Sequence, residues 1–337
     1  MNLEVNYLGI KLKNPVIIGA SNLVTDIKIL KKLEESGASA IVYKSLFEEQ
    51  INLENFMLGE EMTQYDNLNA ESSSFFHKEL YETGPEEFLM NFKEAKKALG
   101  IPLIASLNAV FDDTWYEYAK KLEDAGADAL ELNFYNNPRD FDMQGRFILK
   151  EEIETLKRVK ETVNIPVSVK LSPFYTNILN TVKELEKAGA DGFVLFNKLF
   201  QPDIDIESEK LNFPYNLSNP GESRLTMRYI GLLYGETEAD LCANTGVFTG
   251  EDVIKMILAG ADTVQVVSTV YKNGPQYIGK MLEDMELWMA NKGYKNLDDF
   301  RGKLSRKKLE DPFAYRRAQY VDILLNSEKI LKKYPLP

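Results

Sequence analysis

One phrase recurs four times in this chain and limits the folds open to it: a helical pattern ends in Gly-Ala, and a short apolar run follows at once. Glycine at the end of a helix supplies a left-handed C-cap, and a continuous apolar run is typical of a strand buried on both faces. Repetition of this kind indicates a series of helix–strand units. The copies are ESGASAIVYK from residue 35, DAGADALELN from 124, KAGADGFVLFN from 187 and LAGADTVQVV from 258.

Further apolar runs lie between these phrases, and amphipathic helical patterns such as residues 112–126 and 149–164 separate them. Eight strands in alternation with helices predict a parallel sheet, and eight is the number that closes a barrel. No glycine-rich dinucleotide turn follows the first strand, so we prefer a (β/α)8 TIM barrel to an open doubly wound sheet. The predicted strands cover residues 14–20, 38–44, 101–108, 127–133, 165–172, 191–197, 239–247 and 261–267.

The chain of 337 residues has no low-complexity linker, so we predict one barrel domain over residues 1–305. Two connections are long, residues 45–86 after the second strand and 198–222 after the sixth, and such loops are usually lids or substrate loops. The basic and aromatic tail, 306–337, is predicted to pack on the barrel as an added helix or to lie at a subunit interface.

Composition excludes several classes of function. The net charge of −12 argues against nucleic acid or an anionic membrane as a partner. The only cysteine is Cys242 and the only histidine is His77, so we predict neither a disulfide nor a metal site. The N-terminus lacks the apolar core of a signal peptide, and no apolar run reaches eighteen residues. We therefore expect a cytoplasmic protein whose partner is a small molecule.

Polar side chains stand at nearly every predicted strand end, where a barrel enzyme carries its chemistry, whereas the strand interiors read as apolar. Lys44 and Lys170 admit two chemistries, because a strand-end lysine either forms a Schiff base with a carbonyl substrate or stays cationic and stabilises an anionic flavin or enolate. The other strand-end residues are Ser21, Asn22, Ser45, Ser106, Asn108, Asn133, Ser172, Asn197, Asn244, Thr245, Ser268 and Thr269.

The ends of the seventh and eighth strands suggest a phosphate-bearing ligand. TGVFTG (245–250) opens the helix after the seventh strand, and VSTVYKNG (267–274) follows the eighth. Loops at these two positions, together with helix N-termini, form the recurrent phosphate site of this fold. The backbone N–H groups of Gly246, Ser268 and Thr269 are the candidates, although Gly246 and Gly250 also suit simple turns.

These residues resemble one known family, the class 1 dihydroorotate dehydrogenases, which are FMN-dependent barrels. The resemblance runs from NYLGIKLKNP at the N-terminus to GYKNLDDFRGKLS at 293–305 and so covers most of the chain. The phrases that carry it are KNPVIIGAS, YKS at 43–45, ELN at 131–133, VKLSPF at 169–174, GADGFVLFN, GVFTGEDV at 246–253 and STVYKNGP at 268–275.

The resemblance implies an oxidation of dihydroorotate to orotate, a step of pyrimidine biosynthesis, in which FMN takes a hydride from C6 and a base removes the C5 proton. It places Lys44 and Lys170 in catalytic positions, Lys170 polarising the isoalloxazine ring. The implied substrate-binding residues are Asn69, Asn133, Asn137 and Asn197. The implied FMN-binding residues are Ala20, Ser21, Lys44, Ser45, Asn133, Lys170, Gly246, Ser268 and Thr269.

The loop after the fourth strand departs from the family pattern. The family's base is a Cys or Ser in an N-x-S-C-P-N-type phrase, and this chain reads Asn133-Phe-Tyr-Asn-Asn-Pro138, which puts Asn136 on or near the position of the base. An amide abstracts no proton at ordinary pH, and the adjacent Tyr135 needs strong activation. His77 on the long loop is a further candidate.

We therefore expect an FMN-dependent oxidoreductase acting on a CH–CH group, with slow or absent flavin reduction by dihydroorotate. The class 1 resemblance suggests a homodimer, and electrons leave to a soluble acceptor or a partner protein that the sequence does not identify. Two alternatives stay open. The first is a divergent family member that acts on, or only binds, another small molecule. The second is a Schiff-base lyase that uses Lys170.

Overall fold

The eight predicted strands close into one parallel barrel, as the sequence predicts. The computed structural model describes residues 1–47, 85–109, 114–135, 141–199, 201–212, 214, 217–316, 318–325, 328 and 332. Each strand pairs with the next, and β8 pairs with β1. The strands are β1 (Val16–Ile18), β2 (Ala40–Val42), β3 (Leu103–Ala109), β4 (Ala129–Phe134), β5 (Val167–Leu171), β6 (Gly192–Leu195), β7 (Asp240–Ala243) and β8 (Thr263–Val266).

Amphipathic helices surround the barrel and bury their apolar faces on it. In the first of them, Leu30 and Leu33 are fully buried, and the Asp26 side chain caps the N-terminus by accepting a hydrogen bond from the Lys28 N–H. The helices are α1 (Ile27–Glu35), α2 (Pro85–Ala98), α3 (Thr114–Asp124), α4 (Gly145–Thr162), α5 (Ile178–Lys187), α6 (Ser223–Leu233), α7 (Gly250–Ala259), α8 (Ser268–Asn273), α9 (Tyr277–Lys292) and α10 (Ala318–Leu325).

The repeated Gly-Ala phrase forms the same helix end four times. The four glycines have φ values from 96° to 126°, a region that favours glycine. The alanine that follows each glycine donates its N–H to the carbonyl five residues earlier, as Ala190 does to Leu185 at 3.1 Å, which is the Schellman arrangement. The glycines are Gly37, Gly126, Gly189 and Gly260.

In three copies an aspartate follows the alanine and ties neighbouring strands together at the N-terminal end of the barrel. Asp191, just before β6, accepts a hydrogen bond from the Val167 N–H of β5 at 2.7 Å and pairs with Lys160 at 2.6 Å. Equivalent bonds join Asp128 to the Leu103 N–H at 2.6 Å and Asp262 to the Leu241 N–H at 2.8 Å. In these copies the repeat is therefore a stabilising device at the end of the barrel opposite to the strand C-termini.

An N-terminal hairpin covers this same end. Residues Val5–Tyr7 pair antiparallel with Ile10–Leu12, and the turn residue Leu8 donates its N–H to Asp240 of β7 at 2.6 Å. Tyr7 is almost fully buried, and burial raises the pKa of its hydroxyl well above the usual value. The hairpin thus contributes a side chain to the barrel interior.

The connection after β6, predicted as a long loop, contains a second hairpin. Its strands, Asp203–Asp205 and Lys210–Asn212, pair antiparallel, and all six residues are exposed. The side chains of Ile204, Ile206 and Leu211 are 63%, 79% and 63% exposed. The hairpin therefore exposes three apolar side chains among five exposed charged ones.

The tail includes the predicted added helix, α10. Before it, Tyr315 donates its hydroxyl to the Leu304 carbonyl at 2.7 Å, and Arg228 of α6 donates to the Ala314 carbonyl at 3.3 Å. The division of the chain at residue 305 stays a prediction. In the described part of the chain, no helix has the length and apolar composition needed to cross a membrane.

Candidate functional site

A cavity of about 310 Å³ opens at the C-terminal ends of the strands. Its walls come from β1, β2, β5, β6, β7 and β8, which are far apart along the chain and meet only because the barrel closes. Eight of the predicted site residues line it: Ala20, Ser21, Lys44, Ser45, Lys170, Asn197, Gly246 and Ser268. The fold therefore brings most of the predicted site to one place.

Asn133 joins this group through a hydrogen bond. The Asn197 side-chain amide donates to Asn133 Oδ1 at 2.8 Å, and Asn133 is 8% exposed. Ser45 is fixed in a similar way, because its hydroxyl lies 2.7 Å from that of Ser106 on β3. The strand-end side chains thus hold one another in place and limit the rotamers open to them.

Lys170 forms an ion pair with Glu131, a buried carboxylate that the sequence analysis missed. Its Nζ is 3.6 Å from Glu131 Oε1, and the two side chains are 7% and 1% exposed. The Gln265 side-chain amide donates to Glu131 Oε2 at 2.5 Å. Glu131 lies inside β4 and Gln265 lies inside β8, so the prediction of apolar strand interiors is wrong for these two strands.

Ser218, a residue that the sequence analysis also missed, meets the start of α8. Both its N–H and its hydroxyl donate to Ser268 Oγ, at 2.9 and 2.8 Å. Ser218 lies in the connection between β6 and α6 and lines the cavity together with Ser268. Two buried hydroxyls therefore stand side by side where the phosphate was predicted.

Position 246 requires glycine, because the backbone of residues 219–223 packs directly against it. Its φ is +79°, and a Cβ at this position would lie 2.3 Å from the Ser223 nitrogen and 3.0 Å from the Asn219 carbonyl oxygen. The close approach holds residues 219–223 against the turn after β7, directly beside Ser218. Thr269, by contrast, is fully buried and does not line the cavity, because its hydroxyl donates to the Phe248 carbonyl at 2.9 Å.

A third lysine, Lys198, also lines the cavity. Its Nζ binds both carboxylate oxygens of Glu222, at 2.8 and 2.9 Å, and about a third of each side chain is exposed. No carboxylate stands among the described residues that line the cavity. Three lysines therefore face the cavity, and two of them are paired with carboxylates, Lys170 with Glu131 and Lys198 with Glu222.

The predicted catalytic residues of the loop after β4 do not join this cavity in the described structure. Tyr135 lines a second cavity beside it. Asn69, Asn136, Asn137 and His77 lie outside the described residues. Cys242 is no substitute base, because it is fully buried and burial raises the pKa of its thiol to about 12.

Comparison with known proteins agrees with this architecture. The family model described as dihydroorotate dehydrogenase matches residues 2–289. Among curated relatives, the "Dihydroorotate dehydrogenase B (NAD(+)), catalytic subunit" of Pyrococcus abyssi is 29% identical over 89% of this chain and 98% of its own length. The proteins of the same name from Thermoplasma acidophilum and Caldicellulosiruptor bescii are each 26% identical; the first match covers 89% of this chain and 98% of that protein, the second 90% and 100%. The chain therefore belongs to the dihydroorotate dehydrogenase family of flavin-dependent oxidoreductases that act on CH–CH groups.

Proposed function

We propose that this protein is an FMN-dependent oxidoreductase that removes a hydride from a C–H bond of a small anionic substrate related to dihydroorotate. The observation that carries the proposal is the convergence of Lys44, Lys170 and Asn197 on one cavity at the strand C-termini. The curated relatives are named for dihydroorotate, which makes that compound the first substrate to test.

The residues of the cavity suit FMN. Ser21 Oγ is buried and has no hydrogen-bond partner among the described residues, so it is free to meet a polar group of the ring or ribityl chain. The hydroxyls of Ser218 and Ser268 stand together at the end of the cavity nearest α8, and the Gly246 turn lies beside them. Hydroxyl and backbone N–H groups donate hydrogen bonds to phosphate oxygens, so they can hold a phosphate without an arginine.

Bound FMN would supply the hydride acceptor. For its part, the chain holds an ammonium group, Lys170 Nζ, in a nearly dry site where its charge stabilises negative charge more strongly than it would in water. The linked amides of Asn133 and Asn197 orient the substrate, because their mutual hydrogen bond fixes which atoms face the cavity. Lys44 attracts an anionic substrate to the mouth.

The loop after β4 departs from the family pattern at the residue that removes the proton. The position of the expected Cys or Ser falls on or near Asn136, and an amide is no base. We therefore expect dihydroorotate to reduce the flavin slowly or not at all, and a related anionic compound with a more acidic C–H to react faster.

The absorbance spectrum of the purified protein tests the cofactor. We expect a flavin band near about 450 nm, or its appearance after FMN is added and the excess removed. A protein that carries no flavin and binds none would rule the proposal out. Anaerobic mixing with dihydroorotate then tests the substrate, since rapid bleaching of the band would contradict the expectation of slow turnover.

The Schiff-base alternative is disfavoured by the position of Glu131. A carboxylate 3.6 Å from Lys170 Nζ holds that side chain in an ion pair, which an attack of the lysine on a carbonyl would have to break. Borohydride in the presence of a carbonyl substrate would trap a covalent adduct on Lys170 if the lyase interpretation were right. We expect no adduct.

The partners are proposed on two grounds. The relatives are named catalytic subunits, which implies a separate subunit that receives electrons, and we propose an acceptor of this kind here. The exposed side chains of Ile204, Ile206 and Leu211 in the hairpin at 203–212 support the predicted homodimer. Location in the cytoplasm stays a prediction from the sequence.

A further inference from the structure

The second cavity is separate from the proposed flavin site. It measures about 580 Å³ and lies between the start of α4, the connection from β5 to α5, and the residues that follow β6. None of its described lining residues also lines the first cavity. The two cavities are neighbours, however, because Ser172 and Leu199 follow Lys170 and Asn197 by two positions each on the same strand ends.

Glu152 of α4 is the buried acidic group of this cavity. Its side chain is 6% exposed, and the Tyr175 hydroxyl donates to Oε1 at 2.8 Å. The other oxygen, Oε2, has no hydrogen-bond partner among the described residues. A buried carboxylate with one oxygen left unbonded is unfavourable, so this group is ready to accept a donor.

The walls around Glu152 are largely apolar. Leu149, Phe174 and Leu199 line the cavity, and Pro202 closes one side. Glu152 itself lines the cavity, and the terminal torsion of a glutamate has a broad energy minimum, so the carboxyl group can adjust toward a ligand donor. The site therefore combines an acceptor at its base with apolar surface above it, the usual composition of a small-molecule site.

We propose that this second cavity binds a small primary amine with an apolar body, whose ammonium group donates to Glu152. A carboxylic acid would meet a like charge at this position, and an alcohol would supply a donor without the charge that a buried carboxylate needs. Tyr175 keeps Oε1 occupied, so the ligand takes Oε2. This inference is independent of the proposed redox chemistry, because its test measures binding alone.

The protonation of Glu152 makes the interaction depend on pH. Burial raises the pKa of Glu152 to about 7, with the neighbouring Glu151 acting in the same direction and the Tyr175 hydrogen bond acting against it. The other titratable or charged groups among the described residues of the cavity are Tyr135 and Arg146. Burial also raises the pKa of Tyr175, which therefore remains a donor throughout the neutral range.

Calorimetric titration of the full-length protein with 2-phenylethylamine tests the proposal, with 2-phenylethanol as the uncharged analogue. Because the ionised fraction of Glu152 rises from about a tenth at pH 6 to about nine tenths at pH 8, we expect roughly tenfold tighter amine binding at pH 8. At pH 6 binding should release nearly one proton per amine, and at pH 8 almost none. The alcohol should bind more weakly and without pH dependence.

Two substitutions in the same helix form a matched pair. Glu152→Gln should abolish the pH dependence and the preference for the amine. Glu151→Gln removes an exposed carboxylate one residue away and should preserve both, with only a small downward shift of the midpoint. Tyr175→Phe removes a hydrogen bond that favours the ionised carboxyl, so the midpoint of the pH dependence should move upward. Absence of amine binding, pH-independent binding, or equal binding by the wild type and Glu152→Gln would each overturn the proposal.

Discussion

At the scale of single residues, the Lys170–Glu131 pair sets the charge beneath the proposed flavin. An unpaired lysine would offer a full positive charge to the reduced ring, but a carboxylate 3.6 Å away cancels part of that field. The pair is almost inaccessible to solvent, so neither charge is screened by salt. With the proposed FMN bound, Glu131 would therefore moderate how strongly Lys170 favours the reduced, anionic ring.

Substitution of Glu131 tests this balance. Glu131→Gln keeps an oxygen and the shape of the side chain but removes the negative charge, so we expect the two-electron midpoint potential of the bound flavin to rise by about 30 mV, equivalent to ~1.4 kcal/mol. Potentiometric titration of the FMN-loaded protein measures the change. Glu131→Asp retains the charge and should shift the potential less; an unchanged or lower potential in Glu131→Gln would contradict the assigned role.

The sequence indicated Lys44, Lys170 and Asn197 because a parallel barrel collects its strand ends at one edge, whatever the separation along the chain. It did not indicate Glu131 or Gln265, since isolated polar residues in an apolar run carry no sign of which side of the strand faces the barrel axis. Ser218 was missed for another reason. Its partner Ser268 lies fifty positions away, and only tertiary packing relates the two.

At the level of secondary-structure elements, the repeated phrase stabilises the N-terminal ends of the strands, opposite to the candidate site. In three of its four copies, an aspartate accepts the backbone N–H of the preceding strand and also binds a cationic side chain. Burial raises the pKa of Asp262 to about 6, and Arg301 counters that shift. Each aspartate thus satisfies a strand-end donor that no ladder hydrogen bond can reach.

Loss of one such aspartate should destabilise the barrel measurably. Asp191→Ala removes the acceptor of the Val167 N–H and the partner of Lys160, so we expect the free energy of unfolding to fall by ~1–3 kcal/mol. Urea unfolding measures it. Asp124→Ala breaks an exposed ion pair with Lys120 and should change stability by no more than about 0.5 kcal/mol. Equal losses in the two variants would refute a special role for Asp191.

The elements themselves were predictable because buried parallel strands read as continuous apolar runs between glycine-capped helices. The predicted strands are longer than the observed ones; for example, residues 239–247 were predicted and Asp240–Ala243 pair. The apolar pattern continues into the turn after β7, where Val247 is buried without taking part in the ladder. The hairpin at 203–212 was missed because half of its ten residues are charged, a composition typical of a solvent-exposed loop.

In the whole molecule, the stabilising contacts of the repeat lie at one end of the barrel and the lysines of the cavity lie at the other. The N-terminal end holds the repeat aspartates and the first hairpin, and the C-terminal end holds the three lysines of the cavity. A lysine-lined mouth in a chain of net charge −12 would concentrate a local positive field and favour the anionic substrate that we propose. Substrate capture should therefore weaken as the ionic strength rises.

The second hairpin exposes three apolar side chains among charged ones, and we expect two chains to associate through it. Ile206 is 79% exposed and Ile204 and Leu211 are each 63% exposed, an arrangement that favours burial against a second copy over contact with water. Ile206→Lys should convert a dimer into a monomer in sedimentation equilibrium, because each interface would then bury two unpaired charges. Leu287→Lys places the same charge on α9, where the wild-type side chain is 63% exposed, and should leave the dimer intact. A wild-type protein that sediments as a monomer, or an Ile206→Lys variant that remains a dimer, would exclude this hairpin as the interface.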